Sequence, residues 1–268
     1  MRDLKIVSIA SLNSFRSSII TNSVCEDPQT EHRQNRMSHP KYKEWPQMNQ
    51  SPFEIARKMM VDCQIRPSKV TNKNVLDAFL TVPRESFVSK QQQPVAYIDE
   101  DLPLSNGRNL MEPMVLARLV QALEIRAGDN VLVVGAASGY GSAIIAHLAG
   151  SVIAIETRAQ TVEKTQEILV AHGIDNAAVV KSRLVDGYAD EGPYDQILVE
   201  GGVESMPESL LQQLAPKGQL AAVYRPHDAP IGVASLWTRS GKDFIRKSLF
   251  DASVPNLDEF NKKPEFIF

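Results

Sequence analysis

One stretch decides the fold: Asn130-Val131-Leu132-Val133-Val134-Gly135-Ala136-Ala137-Ser138-Gly139-Tyr140-Gly141. Four apolar residues run into Gly135 and then Gly139, which predicts a buried strand, a tight turn and the start of a helix. A nucleotide-binding βαβ unit begins in this way, so a ligand is expected at the turn. Ala137 stands where such a turn usually has its second glycine.

Downstream of this stretch, predicted strands alternate with predicted helices. The strands are expected at 130–134, 151–156, 177–181, 196–199 and 218–224, and the helices at 139–149, 158–172 and 207–214. This alternation predicts an α/β fold with a doubly wound, mostly parallel sheet and helices on both faces. The binding crevice then lies at the carboxyl ends of the strands.

The last part of the domain has a different pattern. Two β-rich runs flank Ser240-Gly241-Lys242, which predicts a C-terminal antiparallel hairpin. Such a hairpin is unusual in a dinucleotide dehydrogenase and normal in a class I methyltransferase.

Upstream, residues 1–50 are expected to be a disordered N-terminal extension, because they contain too few apolar residues to offset the entropy of ordering. The first residues faintly resemble a secretory signal, but Asn13, Ser14 and Arg16 interrupt its apolar core. The fold is expected to begin where Ser51, Pro52 and Glu54 form a helical capping box. Thr71 is expected to cap a second helix, and Pro113 to open a third.

Composition excludes several classes of function. The chain has 268 residues, of which 43% are hydrophobic and 23% charged, as is typical of a globular protein. A formal net charge of -3 provides no attraction to nucleic acid or to an anionic membrane, and no apolar run is long enough to span a bilayer. Only Cys25 and Cys63 are present, so neither a disulfide framework nor a zinc site is indicated. A reducing, cytoplasmic location is expected.

Glu156 is the first candidate binding residue. It ends the second strand, twenty-one positions after Gly135, where a carboxylate can accept hydrogen bonds from both hydroxyls of a ribose. An ordinary solvent-facing strand end is the alternative. The distance from the glycine turn favours ribose binding.

Several motifs resemble the protein-L-isoaspartate O-methyltransferases, in order and spacing, over roughly residues 53 to 225. They lie at 82–88, 96–104, 107–113, 131–140, 192–197 and 207–214. The resemblance implies a Rossmann-like methyltransferase with a seven-stranded sheet over 51–268. In it, residues 51–127 form a helical and substrate-loop part and 128–268 the donor-binding sheet. It also implies S-adenosyl-L-methionine as the donor and an isoaspartyl carboxylate in damaged protein as the acceptor, so that the activity is protein repair.

The same resemblance implies the residues of the site. On the acceptor side they are Asn109, Met111 and Glu112, and on the donor side Gly135, Ala136, Ala137, Gly139, Glu156, Thr157, Arg183 and Leu184. No metal is expected, because a methyl group on a sulfonium is already activated and an ionised carboxylate is already a nucleophile.

The chain departs from the family pattern at three polar positions. Met111 replaces a serine usually assigned to the active site, and a thioether cannot donate a hydrogen bond. Glu112 would repel a carboxylate acceptor if it entered the same pocket. Val133 stands at a usually acidic position, and Ser182-Arg183-Leu184 replaces a Gly-Asp-Gly loop. Arg183 is expected either to stack on a base or bind a phosphate, or to be a surface cation.

Two interpretations follow. The chain is either a methyltransferase, of the isoaspartate type or with a changed acceptor, or a degenerate methyltransferase fold that serves as a binding or regulatory module. Survival of Glu156 and of the glycine turn favours the donor-binding enzyme, whose partner is a protein or peptide containing isoaspartate. Oligomeric state is not fixed by the sequence, and a monomer is compatible with it.

Overall fold

A computed structural model describes residues 51–261, so the expectation for residues 1–50 lies outside the described part. The first helix, α1 (Pro52–Met60), begins with the predicted capping box. The Ser51 hydroxyl accepts a hydrogen bond from the Glu54 N–H at 3.2 Å, and the Glu54 carboxylate accepts one from the Ser51 N–H at 2.9 Å. One π-helical turn, Val61–Ile65, and one 3-10 turn, Arg66–Ser68, follow.

The second helix, α2 (Lys73–Thr81), is capped one residue later than the sequence pattern suggests. Thr71 was the expected cap, and this expectation was wrong. The Asn72 side chain accepts hydrogen bonds from the N–H groups of Asn74 and Val75, while the Thr71 N–H donates to the Gln121 side chain. An asparagine in extended conformation caps at least as well as threonine, so the adjacent residue takes the position.

The irregular stretch that follows contains a two-stranded antiparallel ribbon, β1 (Leu102–Pro103) and β2 (Asn109–Leu110). It leads into α3 (Pro113–Ala122), which starts at a proline, as the sequence predicts. The ribbon and its turn therefore lie immediately before the helix that precedes the main sheet.

The main sheet has seven strands, as expected from the resemblance. They are β3 (Asn130–Val134), β4 (Ser151–Glu156), β5 (Ala177–Lys181), β6 (Tyr194–Val203), β7 (Leu214–Tyr224), β8 (Gly232–Ser240) and β9 (Asp243–Ala252). Their order is β5-β4-β3-β6-β7-β8-β9. The first five are parallel and the last two pair antiparallel, so the C-terminal hairpin is confirmed.

Both faces of the sheet are covered, which explains why the central strand is continuously apolar. Val131 and Val133 belong to one buried cluster together with residues of α2, α3, α4 (Tyr140–Ala146) and α5 (Ala159–Ala171). Leu132 and Val134 belong to a second cluster with α6 (Glu208–Leu211). The helix expected at 207–214 is this single turn, because Leu214 already pairs with Tyr194 in the sheet.

After the sheet, residues 254–258 return across the carboxyl ends of the central strands. The N–H of Gly202 in β6 donates to the Pro255 carbonyl, and the Leu257 N–H donates to the Gly202 carbonyl, both at 2.9 Å. A Cβ built on Gly135 would lie 3.3 Å from a methyl of Leu257. The C-terminal segment therefore packs directly over the glycine turn.

Candidate active site

The turn after β3 has the backbone that a nucleotide-binding loop requires. Gly135, Ala137 and Gly139 all adopt positive φ values, of 78°, 53° and 93°. Glycine takes this left-handed conformation at no steric cost, whereas alanine loses about 1–2 kcal/mol. Ala137 therefore keeps the geometry of the expected glycine at an energetic cost.

Glu156 lies against this turn, as the register of the two strands predicts. Its side chain is only 2% exposed. One carboxylate oxygen accepts the Ala137 N–H at 2.9 Å and the other accepts the Thr157 N–H at 3.1 Å. The two backbone donors fix the carboxylate at the mouth of the crevice, with its remaining acceptor positions directed away from them.

Arg108 occupies those remaining positions. Its Nε lies 3.2 Å from one oxygen of Glu156, and its Nη2 lies 3.3 Å from the other. The same guanidinium donates to both oxygens of Glu259, at 2.7 and 2.9 Å, and lowers the pKa of that carboxyl. We call the three side chains of Arg108, Glu156 and Glu259 the donor-side cluster. Glu156 was predicted, whereas Arg108 and Glu259 were missed.

Met111 and Asn109 lie on the other side of the crevice. They line a small cavity of about 40 Å³ together with Glu200, Gly201 and Asn256. The Met111 side chain is buried, and its carbonyl accepts a hydrogen bond from Arg84 at 2.8 Å. The segment that contains Met111 is therefore held in place by its backbone. We call this space the acceptor-side cavity.

Glu112 does not belong to the described lining of the acceptor-side cavity. Its N–H donates to Asp101 at 2.8 Å. Burial, together with the nearby carboxylates of Asp101, Asp99 and Glu100, raises the pKa of Glu112 to about 7. Its charge is thus part of an acidic group on the loop before α3, beside the cavity and not within it.

Glu200 is a polar residue of the crevice that the sequence analysis did not single out. It lies in β6, is 5% exposed, and its Oε1 has no hydrogen-bond partner among the described residues. Burial and, secondarily, the charge of Glu156 raise the pKa of Glu200 to about 8. Its place at the carboxyl end of an apolar strand, like that of Glu156, is the pattern that could have revealed it.

The two remaining donor-side candidates lie apart. Leu184 is fully buried and packs beside Gly135. The Arg183 side chain is 77% exposed and pairs with Asp186 at 3.2 Å. Its contact with an adenine or a phosphate therefore stays a prediction, and the described conformation places it at the surface.

Residues 51–261 lack two features. No helix there has the length and apolar character to cross a bilayer. The same residues contain no group of three or more His, Cys, Asp or Glu side chains arranged to hold a metal ion.

Comparison with known proteins gives one consistent result. A sequence profile of the family described as protein-L-isoaspartate(D-aspartate) O-methyltransferase matches residues 56–229. The protein-L-isoaspartate O-methyltransferase of Ignicoccus hospitalis is 36% identical over 218 residues, which cover 79% of this chain and 100% of that protein. That of Methanoculleus marisnigri is 35% identical over 181 residues, covering 68% and 82%.

Solved structures agree in fold. A structure described as a protein-L-isoaspartate O-methyltransferase has a TM-score of 0.68 at 21% identity, covering 75% of this chain and 65% of that one. A Plasmodium falciparum structure described in the same terms, in complex with S-adenosyl-L-homocysteine, has a TM-score of 0.65 at 20% identity, covering 78% and 100%. At these identities the similarity supports the fold alone.

Proposed function

Because the chain belongs to the protein-L-isoaspartate(D-aspartate) O-methyltransferase family, we propose that it transfers the methyl group of S-adenosyl-L-methionine to isoaspartyl carboxylates in proteins. The observation that supports this most is the contact between Glu156 and the glycine turn. Carboxylate and turn lie together at the carboxyl end of the parallel strands, where ligands of doubly wound sheets bind.

The hydrogen-bonding groups at the site fit such a donor. A buried carboxylate that already has two backbone donors can accept the two ribose hydroxyls on its free side. Ser138 in the turn has a buried hydroxyl without a partner among the described residues, and is thus available to a ligand. Gly135, Ala136, Ala137, Gly139, Glu156, Thr157 and Leu184 are therefore the residues proposed to surround the donor.

Donor binding requires a rearrangement of the donor-side cluster. Arg108 donates to both oxygens of Glu156 in the described conformation, so a ribose can reach this carboxylate only after the guanidinium has moved. Leu257 packs over Gly135 and must yield as well. We propose that the donor, on binding, replaces Arg108 at the Glu156 carboxylate.

The chemistry needs little from the chain beyond placement. The donor, when bound, supplies a methyl group activated by a sulfonium, and the acceptor carboxylate needs no general base. Catalysis then depends on alignment of the two reactants and on exclusion of water. Buried groups that surround the crevice, such as Met111 and Leu257, exclude water from it.

Location and partner follow from the same proposal. The partner is a protein or peptide containing isoaspartate. The Cys63 thiol is exposed and forms no disulfide within residues 51–261, which supports a reducing compartment such as the cytoplasm.

The experiment that tests the function compares two peptides of identical sequence, one with isoaspartate and one with aspartate. The full chain is incubated with each and with S-adenosyl-L-methionine labelled in its methyl group. We expect label in the isoaspartyl peptide, as a base-labile ester, and none in its aspartyl counterpart. Absence of label in both peptides would contradict the proposal, and equal label in both would contradict its acceptor.

A further inference from the structure

The acceptor-side cavity is lined by a carboxyl group, that of Glu200, one oxygen of which has no partner among the described residues. Glu200 is only 5% exposed, and its Oε1 has no hydrogen-bond partner among residues 51–261. A buried polar atom without a partner is costly, so native proteins seldom keep one without a purpose. Glu200 shares the cavity with Met111, the side chain that cannot donate.

The chain provides space for this carboxyl. A Cβ on Gly141 would collide with both oxygens and the carboxyl carbon of Glu200, so any larger residue at 141 would have to displace it. Gly141 does not have a positive φ, so its backbone conformation does not require glycine. The close approach of Glu200 is thus the described feature that favours a glycine there.

We infer that Glu200, as a neutral carboxylic acid, donates a hydrogen bond to the acceptor carboxylate and positions it for methylation. This inference rests on the proposed function. The cavity of about 40 Å³ has room for about three water-sized atoms, the number of heavy atoms in a carboxylate group. A protonated carboxyl has one O–H donor, which the Met111 thioether lacks.

Burial, more than the charges around it, explains why Glu200 holds its proton. The charge of Glu156 also favours the neutral form of Glu200, while that of Arg84 opposes it. Two nitrogens of the Arg84 guanidinium donate to the carbonyls of Ala96 and Met111, and its Nη1 has no hydrogen-bond partner among the described residues. Across the cavity lie Arg108, which is paired with two carboxylates, and Asp258.

The opposite assignment makes a different prediction. If the ionised form of Glu200 were the active one, because its charge attracts the sulfonium of the donor, activity would rise with pH. A neutral Glu200 predicts that activity falls as pH rises through the pKa of about 8. The direction of the pH profile therefore separates the two.

The test measures methyl transfer to the isoaspartyl peptide between about pH 6 and pH 9, with the full chain and the variants Glu200→Gln and Glu200→Met. For the wild type we expect kcat/KM to fall about tenfold from pH 7 to pH 9, given a pKa of about 8. Glu200→Gln keeps a neutral donor, so it should remain active with a flat profile. Glu200→Met lacks the donor and should raise the peptide KM at least tenfold, with unchanged affinity for S-adenosyl-L-methionine.

Several results would overturn the inference. They are an identical fall with pH in Glu200→Gln, an unchanged KM in folded Glu200→Met, or wild-type activity that rises with pH. If Glu200→Met does not fold, the comparison of wild type with Glu200→Gln decides. Absence of transfer by the wild type at every pH would instead overturn the proposed function, and this inference with it.

Discussion

The two ends of the crevice contain one buried glutamate each, and these differ in how their oxygens are satisfied. On the donor side, Glu156 accepts two backbone N–H groups and the guanidinium of Arg108. On the acceptor side, the Oε1 of Glu200 has no partner among the described residues. Similar burial thus accompanies a carboxylate that is satisfied by several donors in one place and a carboxyl with a raised pKa in the other, because hydrogen bonding acts together with burial.

The largest expected effect concerns the proton on Glu200. Its pKa rises from an ordinary 4.5 to about 8, so between these values the folded chain holds a proton that the unfolded chain has released. This contribution to stability is complete below pH 4.5 and is lost as pH rises through 8. Glu200→Gln removes the titration and should gain on the order of 3 kcal/mol relative to wild type between pH 5 and pH 8.

Urea unfolding of both proteins at the two pH values measures this gain. Glu163→Gln, on the exposed side of α5, serves as the matched control and should follow the wild type. If the free energies of unfolding of Glu200→Gln and wild type changed equally with pH, Glu200 would be ionised in the folded chain. The contrast between the two glutamates would then disappear.

The next effect concerns the charge on Glu156. Glu156→Ala removes the acceptor of the ribose hydroxyls and should weaken S-adenosyl-L-methionine binding by about 1.5–3 kcal/mol, which is about 10- to 100-fold in Kd. Calorimetry on the full chain measures this. Glu156→Gln keeps the shape of the side chain, so its affinity for the donor should lie between those of the wild type and Glu156→Ala. Unchanged affinity in both variants would mean that Glu156 is only the end of a strand.

A smaller effect is expected at the turn itself. Ala137→Gly relieves the left-handed alanine with φ 53° and should stabilise the fold by about 1 kcal/mol, or about 2–4 °C in Tm. Ala136→Gly is the control, since Ala136 does not have a positive φ and should show no gain. Thermal unfolding decides, and equal shifts for both variants would disprove the strain.

The smallest effect concerns the donor-side cluster. Glu259 is 28% exposed and supports Arg108, so Glu259→Gln should loosen the guanidinium and improve donor affinity about two- to fivefold, as expected for a pair worth about 0.5–1 kcal/mol. Asp243→Asn on exposed β9 changes the net charge equally and should have no effect. Weaker donor binding in Glu259→Gln would show that Glu259 assists donor binding and does not oppose it by holding Arg108 on Glu156.

Local patterns account for what the sequence could predict. The strand, turn and helix of 130–141 follow from apolar residues and glycines, and the position of Glu156 follows from strand length and parallel register. The exact caps depend on competition between neighbours, which is why Asn72 and not Thr71 caps α2.

The remaining parts of the site depend on contacts between distant residues. Arg108 and Glu259 are 151 positions apart, and no local pattern indicates that they meet at Glu156. Glu200 lies at a predictable strand end, but its close approach to Gly141 and the missing partner of its Oε1 among the described residues depend on tertiary packing. The sequence could therefore locate the crevice, but it could not predict the hydrogen bonding or the protonation of the carboxyl groups in it.

A crystal structure of the full chain grown with S-adenosyl-L-homocysteine tests the central claim most directly, since it shows what Glu156 binds. We predict that both ribose hydroxyls donate to the Glu156 carboxylate and that Arg108 has left it. A ligand bound elsewhere, or none, with Arg108 still on Glu156 in the presence of millimolar ligand, would contradict the account.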